Sequence, residues 1–275
     1  MILDGKKVSE KILTDLKKRI IEKKLAPKLV IITIGKDDAS EVYVRKKLES
    51  AEKIGITAKQ IKFTEESSEQ EILNEIDKLN KDKNVDGFIV QLPVPKHINA
   101  NKLLEKIAPE KDVDGFHPIN VGKLFLGISE DNDMLPATPF GIMKMIEYYK
   151  IKVEGKNAVV VGRSNIVGKP IASLLLNKNA TVSITHSKTK NLEEYTKKAD
   201  IIVVAVGKPK IITAEMVKEG AYIIDVGMNK INGKNVGDVD FENVIKKAHC
   251  SPVPGGVGPL TVAMLMYNTV KASEK

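Results

Sequence analysis

The 275-residue sequence has no tryptophan, a single cysteine and few aromatic residues, which make up 4% of the chain. The single cysteine, Cys250, excludes a disulfide bond within the chain. Because aromatic residues are scarce, we expect a core of Ile, Val and Leu. No apolar run approaches the roughly 20 residues of a membrane helix, and residues 1–5 lack the pattern of a signal peptide. These absences predict a cytoplasmic protein with no membrane partner.

Charged residues of both signs are abundant. The chain has 44 Lys and Arg residues and 36 Asp and Glu residues, which gives a formal net charge of +8. A basic balance is typical of proteins that bind nucleic acids or small anions. Here the lysines are interleaved with acids in helical segments such as 17–24, which indicates a solvated surface. Aromatic residues do not alternate with Arg and Lys, as they would on a base-stacking platform. We therefore predict no nucleic-acid partner.

Helix and strand patterns alternate through the first half of the chain. Residues 29–35 form a continuous run rich in β-branched residues, which is typical of a strand buried on both faces. Apolar spacing predicts further strands over 56–63 and 87–91 and helices over 5–24, 39–54 and 68–80. Such alternation predicts a parallel sheet with helical crossovers.

A turn-rich stretch over 109–139 leads to a second α/β pattern, and its prolines and glycines indicate a ligand-facing loop or a domain junction. The tail over 260–272 is predicted to be an amphipathic helix that returns to the first domain. We predict two α/β domains with a cleft between them, one over 1–138 joined by a helix over 258–275 and one over 139–257. The second domain has a predicted helix from about 138, strands over 157–161, 180–185, 201–205 and 222–226, and a helix over 166–177.

Residues 159–170 read as a strand, a tight turn and a helix. Gly162 at the strand end permits a sharp turn, and amides at the start of the next helix can face an anion. The spacing is G-x-S-x-x-x-G, whereas the usual dinucleotide fingerprint is G-x-G-x-x-G, so the turn alone is also compatible with a structural role. The pattern favours a Rossmann-like dinucleotide-binding domain.

The following strand indicates which dinucleotide binds. An NAD site usually has Asp or Glu about 20 residues after the turn, where it bonds the ribose 2′-hydroxyl. Here the strand ends in 185–188 without a carboxylate, and Arg163 follows the turn glycine. These features favour a 2′-phosphate, and hence NADP. Lys188 fits a solvated loop equally well, and we interpret His186 as a hydrogen bonder at the strand end.

Three segments of the first half carry polar residues suited to chemistry. Tyr43 and Lys47 share one face of a predicted helix, although a tyrosine packed on a surface lysine gives the same pattern. Gln91 ends an apolar strand, where open α/β sheets bind ligands. Asp112 and Asp114 lie in a glycine turn, where acids are also common for structural reasons.

Taken together, these segments closely resemble those of the bifunctional methylenetetrahydrofolate dehydrogenase/cyclohydrolase family. Matching motifs follow the family's order across nearly the whole chain, at 43–47, 86–93, 109–115, 162–170 and 252–261. The resemblance implies NADP-dependent oxidation of 5,10-methylenetetrahydrofolate and hydrolysis of the methenyl product to 10-formyltetrahydrofolate, in the one-carbon metabolism that serves purine biosynthesis. It also implies a homodimer formed through the nucleotide domain.

The resemblance assigns folate to the first domain and NADP to the second. Lys47 would be the catalytic lysine, Tyr43 would orient the folate, Gln91 would bond Lys47, and Asp114 would hold the pterin ring. Further folate contacts would come from Val90, Leu92, Pro254, Gly255, Gly256, Val257 and Gly258. NADP would be bound by Gly162, Arg163, Ser164, Ser187 and Met228.

Four positions depart from the family's pattern. Ala137 stands where a cysteine is common, which argues against thiol chemistry there, and Phe140 stands where a basic residue is frequent. Met228 replaces a usual Ile and is predicted to contact the nicotinamide through its backbone. Leu260 replaces a usual Met, a swap that conserves volume.

The implied reactions place different demands on the protein. Hydride transfer needs positioning, whereas hydrolysis needs proton transfer, which a lysine with a lowered pKa can perform. We therefore predict that Lys47 is partly neutral in the complex. No metal is predicted, because the four histidines and Cys250 show no ligand spacing. The alternatives are a dehydrogenase without cyclohydrolase activity and a related NADP dehydrogenase of another small substrate, such as a shikimate-like acid.

Overall fold

The computed structural model describes residues 1–128, 133–231 and 233–274, without the side chains of residues 38 and 39. The chain divides into two compact units. The three-stranded unit comprises Lys11–Ala137 and Val262–Lys275, and the five-stranded unit comprises Met1–Glu10 and Thr138–Thr261. Each unit contains a parallel sheet, so the predicted α/β class with two domains is confirmed.

Helices and strands alternate along most of the described chain. The helices are α1 (Gly5–Glu22), α2 (Asp38–Ile54), α3 (Glu69–Lys81), α4 (Ala100–Lys106), α5 (Pro118–Leu126), α6 (Ala137–Tyr148), α7 (Gly168–Asn177), α8 (Leu192–Thr196), α9 (Phe241–Val244) and α10 (Val257–Ala272). The strands are β1 (Lys28–Ile34), β2 (Thr57–Phe63), β3 (Gly87–Val90), β4 (Asn157–Val161), β5 (Thr181–Thr185), β6 (Ile201–Val204), β7 (Tyr222–Asp225), β8 (Asn229–Ile231), β9 (Lys234–Val236) and β10 (His249–Cys250).

The sheet of the three-stranded unit has the order β2-β1-β3, with all strands parallel. Side chains alternate between the two faces of a strand. Leu29 and Ile31 of β1 accordingly pack in one hydrophobic cluster, and Val30 and Ile32 pack in another. The central strand is thus buried on both faces, as its continuous apolar run predicts.

Local sequence signals fix where α2 begins and ends. The carboxylate of Asp37 accepts the backbone N–H of Ser40 at 2.7 Å, which caps the first turn of the helix. Gly55 ends the helix in the left-handed conformation, with φ of 92°. Tyr43 and Lys47 both lie between these two boundaries, four residues apart and therefore on one face of the helix.

The sheet of the five-stranded unit has the order β10-β7-β6-β4-β5, also all parallel. The carboxyl ends of its strands lie along one edge. The chain continues from β4 to β5 on one side and then returns to place β6 on the other side of β4. Ligands of open α/β sheets bind at such a switch point, outside the carboxyl ends of the strands.

Two predictions about local structure are wrong. α5 lies within the stretch predicted to be rich in turns, because Pro118 at its first position marks a helix start as readily as a turn. Residues 129–132 of that stretch lie outside the described residues. α10 is buried on nearly all sides rather than amphipathic, since its sequence is apolar around its whole circumference.

No helix within the described ranges is long and apolar enough to cross a membrane.

Candidate functional site

The ammonium group of Lys47 is held inside the three-stranded unit. The side chain is only 5% exposed, and Nζ donates a hydrogen bond to Oε1 of Gln91 at 2.8 Å. Gln91 follows β3 directly, and its Nε2 donates to the carbonyl of Leu92 at 2.8 Å. Because the amide nitrogen is engaged in this way, the amide oxygen faces the lysine.

The environment of Lys47 keeps a larger fraction of this side chain in the neutral form, which can accept a proton, than at a surface lysine. Burial lowers its pKa because the charged form loses its hydration, and the carboxylate of Asp114 opposes this in part. Burial likewise raises the pKa of Asp114, and the charge of Lys47 opposes that shift. The two groups therefore form an electrostatically coupled pair of buried side chains.

The two acids of the 112–115 turn have different roles. Asp112 accepts the backbone N–H of Gly115 at 3.1 Å and that of His117 at 2.7 Å, so its carboxylate holds the turn. Gly115 has a φ of +74°, and a Cβ there would lie 2.4 Å from the carbonyl carbon of Leu135. Asp112 thus has the structural role and leaves Asp114 to interact with Lys47.

Tyr43 lies one helical turn before Lys47 on α2 and is half-buried. Burial raises the pKa of its hydroxyl, so the phenol stays protonated at neutral pH. Nζ of Lys46 lies 6.0 Å from the centre of its ring. The structure thus brings Lys47, Gln91 and Asp114 together and places Tyr43 on the same helix.

Asn268 supports this site and was not predicted. It is fully buried on α10, and its Nδ2 donates to the carbonyls of Val113 and Leu135, each at 2.9 Å. Those carbonyls belong to the two chain segments that meet at the Asp114 turn. A lone asparagine in an apolar helix was the signal for this support, because a buried amide requires partners.

The nucleotide turn of the five-stranded unit is shaped by close approaches of the backbone. Gly162 has a φ of +126°, and a Cβ there would lie 2.4 Å from the carbonyl oxygen of Ala205. A Cβ on Gly168 would lie 2.4 Å from the carbonyl oxygen of Gly162. Oγ of Ser164 accepts the backbone N–H groups of Val167 and Gly168, at 3.1 and 3.2 Å. The turn has room for glycine alone at both positions.

The side chains around this turn are mostly exposed. Arg163, Ser187 and Lys188 are exposed, and Met228 is 47% exposed. Nδ1 of His186 accepts the backbone N–H of Lys188 at 3.2 Å, which confirms that this histidine is a local hydrogen bonder at the strand end. The end of β5 thus offers hydroxyl and basic groups instead of a carboxylate.

The glycine-rich 254–258 segment is fixed to the start of α1 within the five-stranded unit. The carbonyl of Gly255 accepts the N–H groups of Gly5 at 2.9 Å and of Lys6 at 3.1 Å. A Cβ on Gly5 would lie 1.7 Å from the carbonyl oxygen of Gly256, so the two segments are packed backbone to backbone. The expected contact of this segment with folate stays a prediction.

Two family models match this chain. The catalytic domain of tetrahydrofolate dehydrogenase/cyclohydrolase matches residues 3–114, and the NAD(P)-binding domain of the same family matches residues 136–275. The chain belongs to the tetrahydrofolate dehydrogenase/cyclohydrolase family. The recognised resemblance is therefore confirmed, and the family assignment disfavours the alternative of a shikimate-like substrate.

Individual relatives match this chain over nearly their whole length. A bifunctional protein FolD from Ligilactobacillus salivarius is 54% identical, over 100% of this chain and 97% of that protein. The crystal structure of a bifunctional FolD enzyme from Campylobacter jejuni has 48% identity and a TM-score of 0.96, covering 100% of this chain and 98% of that one. A Trypanosoma brucei enzyme solved with NADP and an inhibitor has 34% identity and a TM-score of 0.95, covering 100% and 97%.

The structure shows the surroundings of three positions at which the sequence departs from the family's pattern. Nζ of Lys144 lies 5.6 Å from the ring centre of Phe140, so a basic group one turn later lies over the position where the family often has one. Leu260 is fully buried, and a Cβ on Gly141 would lie 2.8 Å from its Cβ. Ala137 is buried at the start of α6. The described residues contain no group of three or more His, Cys, Asp or Glu that could hold a metal ion.

Proposed function

We propose that Lys47, Tyr43, Gln91 and Asp114 form one folate site that serves both activities of this bifunctional enzyme. The activities are oxidation of 5,10-methylenetetrahydrofolate with NADP and hydrolysis of 5,10-methenyltetrahydrofolate to 10-formyltetrahydrofolate. The observation that supports this site most strongly is the buried bond between Nζ of Lys47 and Oε1 of Gln91 at 2.8 Å. A buried lysine held by a neutral amide is suited to proton transfer near neutral pH.

The oxidation requires little from side chains beyond positioning. When bound, NADP accepts a hydride from the carbon that bridges two folate nitrogens, and the folate product is a delocalised cation. No proton has to move, so a fixed geometry of substrate and cofactor suffices. We propose that Tyr43 packs on the folate ring and that Asp114 accepts hydrogen bonds from the pterin.

The hydrolysis does require proton transfer. Water adds to the cationic carbon, its oxygen forms the new bond, and one of its protons passes to neutral Lys47 at Nζ. The bond from this carbon to N5 then breaks while the added oxygen gives up its second proton and becomes the formyl carbonyl oxygen. N5 takes up one proton, so that one of the two protons of the water is released in net. The positive charge of the substrate adds to the effect of burial on Lys47, and both lower its pKa.

The residues of the nucleotide turn fit NADP. The cradle between Gly162 and Gly168, which a Cβ would fill, lets a pyrophosphate approach the start of α7. We propose that Ser164 binds NADP beside this turn. Arg163 and Ser187 would bind the 2′-phosphate of the cofactor. The backbone of Met228 would contact the nicotinamide.

The remaining assignments follow from the family resemblance. Val90, Leu92 and the residues of 254–258 would complete the folate site. We propose that the enzyme is a cytoplasmic homodimer formed through the five-stranded unit and that its product serves purine biosynthesis. It would bind neither nucleic acid nor membranes.

One assay tests this proposal. The purified enzyme is given methylenetetrahydrofolate with NADP or with NAD, and the absorbance of methenyltetrahydrofolate is followed as it forms and decays. We expect faster formation with NADP, followed by decay faster than in buffer. Formation without accelerated decay would support a dehydrogenase that lacks cyclohydrolase activity, and no formation with either cofactor would support a different substrate.

A further inference from the structure

Two short motifs of the five-stranded unit, 225–227 and 237–239, interlock through their aspartates and glycines. A Cβ on Gly227 would lie 2.2 Å from Cγ of Asp238, and a Cβ on Gly237 would lie 1.9 Å from Oδ2 of Asp225. Each glycine therefore makes room for the carboxylate of the other motif. Neither motif could accept a larger residue at its glycine without moving the other.

Asp225 holds the interlock from inside. Its Oδ1 accepts the backbone N–H groups of Gly227 at 2.9 Å and of Asp238 at 3.0 Å, and its Oδ2 accepts that of Val239 at 2.9 Å. Burial raises the pKa of Asp225 to about 6, so the carboxylate is still ionised at neutral pH. All three of these bonds come from backbone N–H groups, and one of them holds the backbone of Asp238 directly.

Asp238 in turn holds two loops with one fully buried carboxylate. Its Oδ2 accepts the backbone N–H groups of Val206 at 2.7 Å and of Gly207 at 2.9 Å, in the loop that follows β6. Its Oδ1 accepts Nδ2 of Asn229 at 2.9 Å, at the end of the loop that follows β7. A buried carboxylate is costly unless such charge-assisted bonds offset the loss of hydration.

These loops lie at the carboxyl edge of the sheet, beside the nucleotide turn. β6 is the neighbour of β4, and β7 is the neighbour of β6. The backbone of Ala205 lies so near Gly162 that a Cβ there would be 2.4 Å from its carbonyl oxygen. The bonds of Asp238 thus fix the wall next to the turn at the switch point of the sheet.

We infer that Asp238 is a positioning residue for NADP: it fixes the loops at 205–207 and 226–229 at the separation that the nicotinamide half of the cofactor requires. The inference rests on the proposed binding of NADP at the Gly162 turn. It predicts that loosening these loops weakens cofactor binding and leaves the Lys47 chemistry intact.

Asp238→Asn is the direct test. Asparagine keeps the shape but offers one acceptor oxygen and turns an NH2 group toward N–H donors. Because hydrogen bonds to a charged acceptor are lost, we expect the KM for NADP to rise about tenfold to a hundredfold. Hydrolysis of supplied methenyltetrahydrofolate should stay within about twofold, and the exposed Glu242→Gln is the matched control.

Three outcomes decide the inference. A folded Asp238→Asn enzyme with an unchanged KM for NADP would overturn it, and so would a parallel loss of both activities. If Asp238→Asn fails to fold, Asn229→Ala removes one bond to Asp238 and should raise the KM several-fold; no rise would overturn the inference. Calorimetric titration of the wild type separates the two proposals, because NADP binding without folate oxidation would contradict only the proposed function.

Discussion

The Lys47 site and the Gly162 turn are built on opposite principles. At the first, buried side chains carry charge: Lys47 and Asp114 are desolvated and lower the cost of each other's burial. At the second, the backbone carries the geometry, and the side chains around it, such as Arg163 and Ser187, are exposed. Proton transfer requires groups with shifted pKa values, whereas binding an anionic cofactor requires oriented amides.

This contrast predicts different sensitivities to substitution. Replacing a buried side chain at the Lys47 site removes a group that no neighbour can replace. Replacing an exposed side chain at the nucleotide turn removes one contact among several, because the glycine geometry persists. Each of the following experiments compares the two sites through their separate activities.

The largest expected effect is that of Lys47→Met. Methionine fills the space of the lysine stem but accepts no proton, so hydrolysis of methenyltetrahydrofolate should fall about a thousandfold or more. The dehydrogenase should lose much less, because hydride transfer needs no proton acceptor. The measurement is the decay of supplied methenyltetrahydrofolate, with the circular dichroism melting curve as a check of folding.

Lys53→Met is the matched control for this variant. Lys53 lies on the same helix, α2, and is exposed. It should keep both activities within about twofold, because surface substitutions of this kind have small effects. Cyclohydrolase activity retained by a folded Lys47→Met enzyme would refute the proton-transfer role and remove the main contrast between the sites.

The sequence predicted the parts of these sites that depend on residue type and regular spacing. Tyr43 and Lys47 share a helix face because they are four residues apart, and Gln91 ends a strand because the apolar run stops there. Gly162 and Gly168 were recognisable from the strand, turn and helix around them. In each case a local pattern determines the local structure.

Contacts between distant segments were not predictable in this way. Asn268 bonds carbonyls more than 130 residues earlier in the chain, and no spacing rule connects them. The interlock of Gly227 with Asp238 depends on a β8–β9 hairpin of weak sequence signal. α10 was misjudged for a related reason, because its burial depends on the segments that pack around it.

A smaller effect is expected from Arg163→Ala in the nucleotide turn. If Arg163 binds the 2′-phosphate, the KM for NADP should rise about tenfold to a hundredfold, as for other lost charge-assisted bonds. The KM for NAD should hardly change, since NAD has no phosphate there. Steady-state dehydrogenase assays with both cofactors measure the ratio of the KM for NADP to the KM for NAD.

Lys178→Ala, an exposed residue at the end of α7, is the control for general loss of positive charge. It should leave both KM values nearly unchanged. Equal rises for NADP and NAD in Arg163→Ala would place the arginine on a part common to both cofactors. The preference for NADP would then need another source, such as Ser187 or Lys188.

The smallest expected effect is a displacement along the pH axis of kcat for hydrolysis, which is measured at saturating folate so that any loss of folate affinity in an Asp114 variant does not contribute. Neutral Lys47 is the proposed proton acceptor, so kcat for hydrolysis should rise with pH through a pKa below the ordinary lysine value of 10.5. The negative charge of Asp114 favours protonated Lys47, and Asp114→Asn should therefore move this rise to lower pH. A rise that stays in place or moves to higher pH would show that the two groups are not coupled. The KM for NADP should follow the same pH profile in both enzymes, because the nucleotide turn binds through backbone and exposed groups.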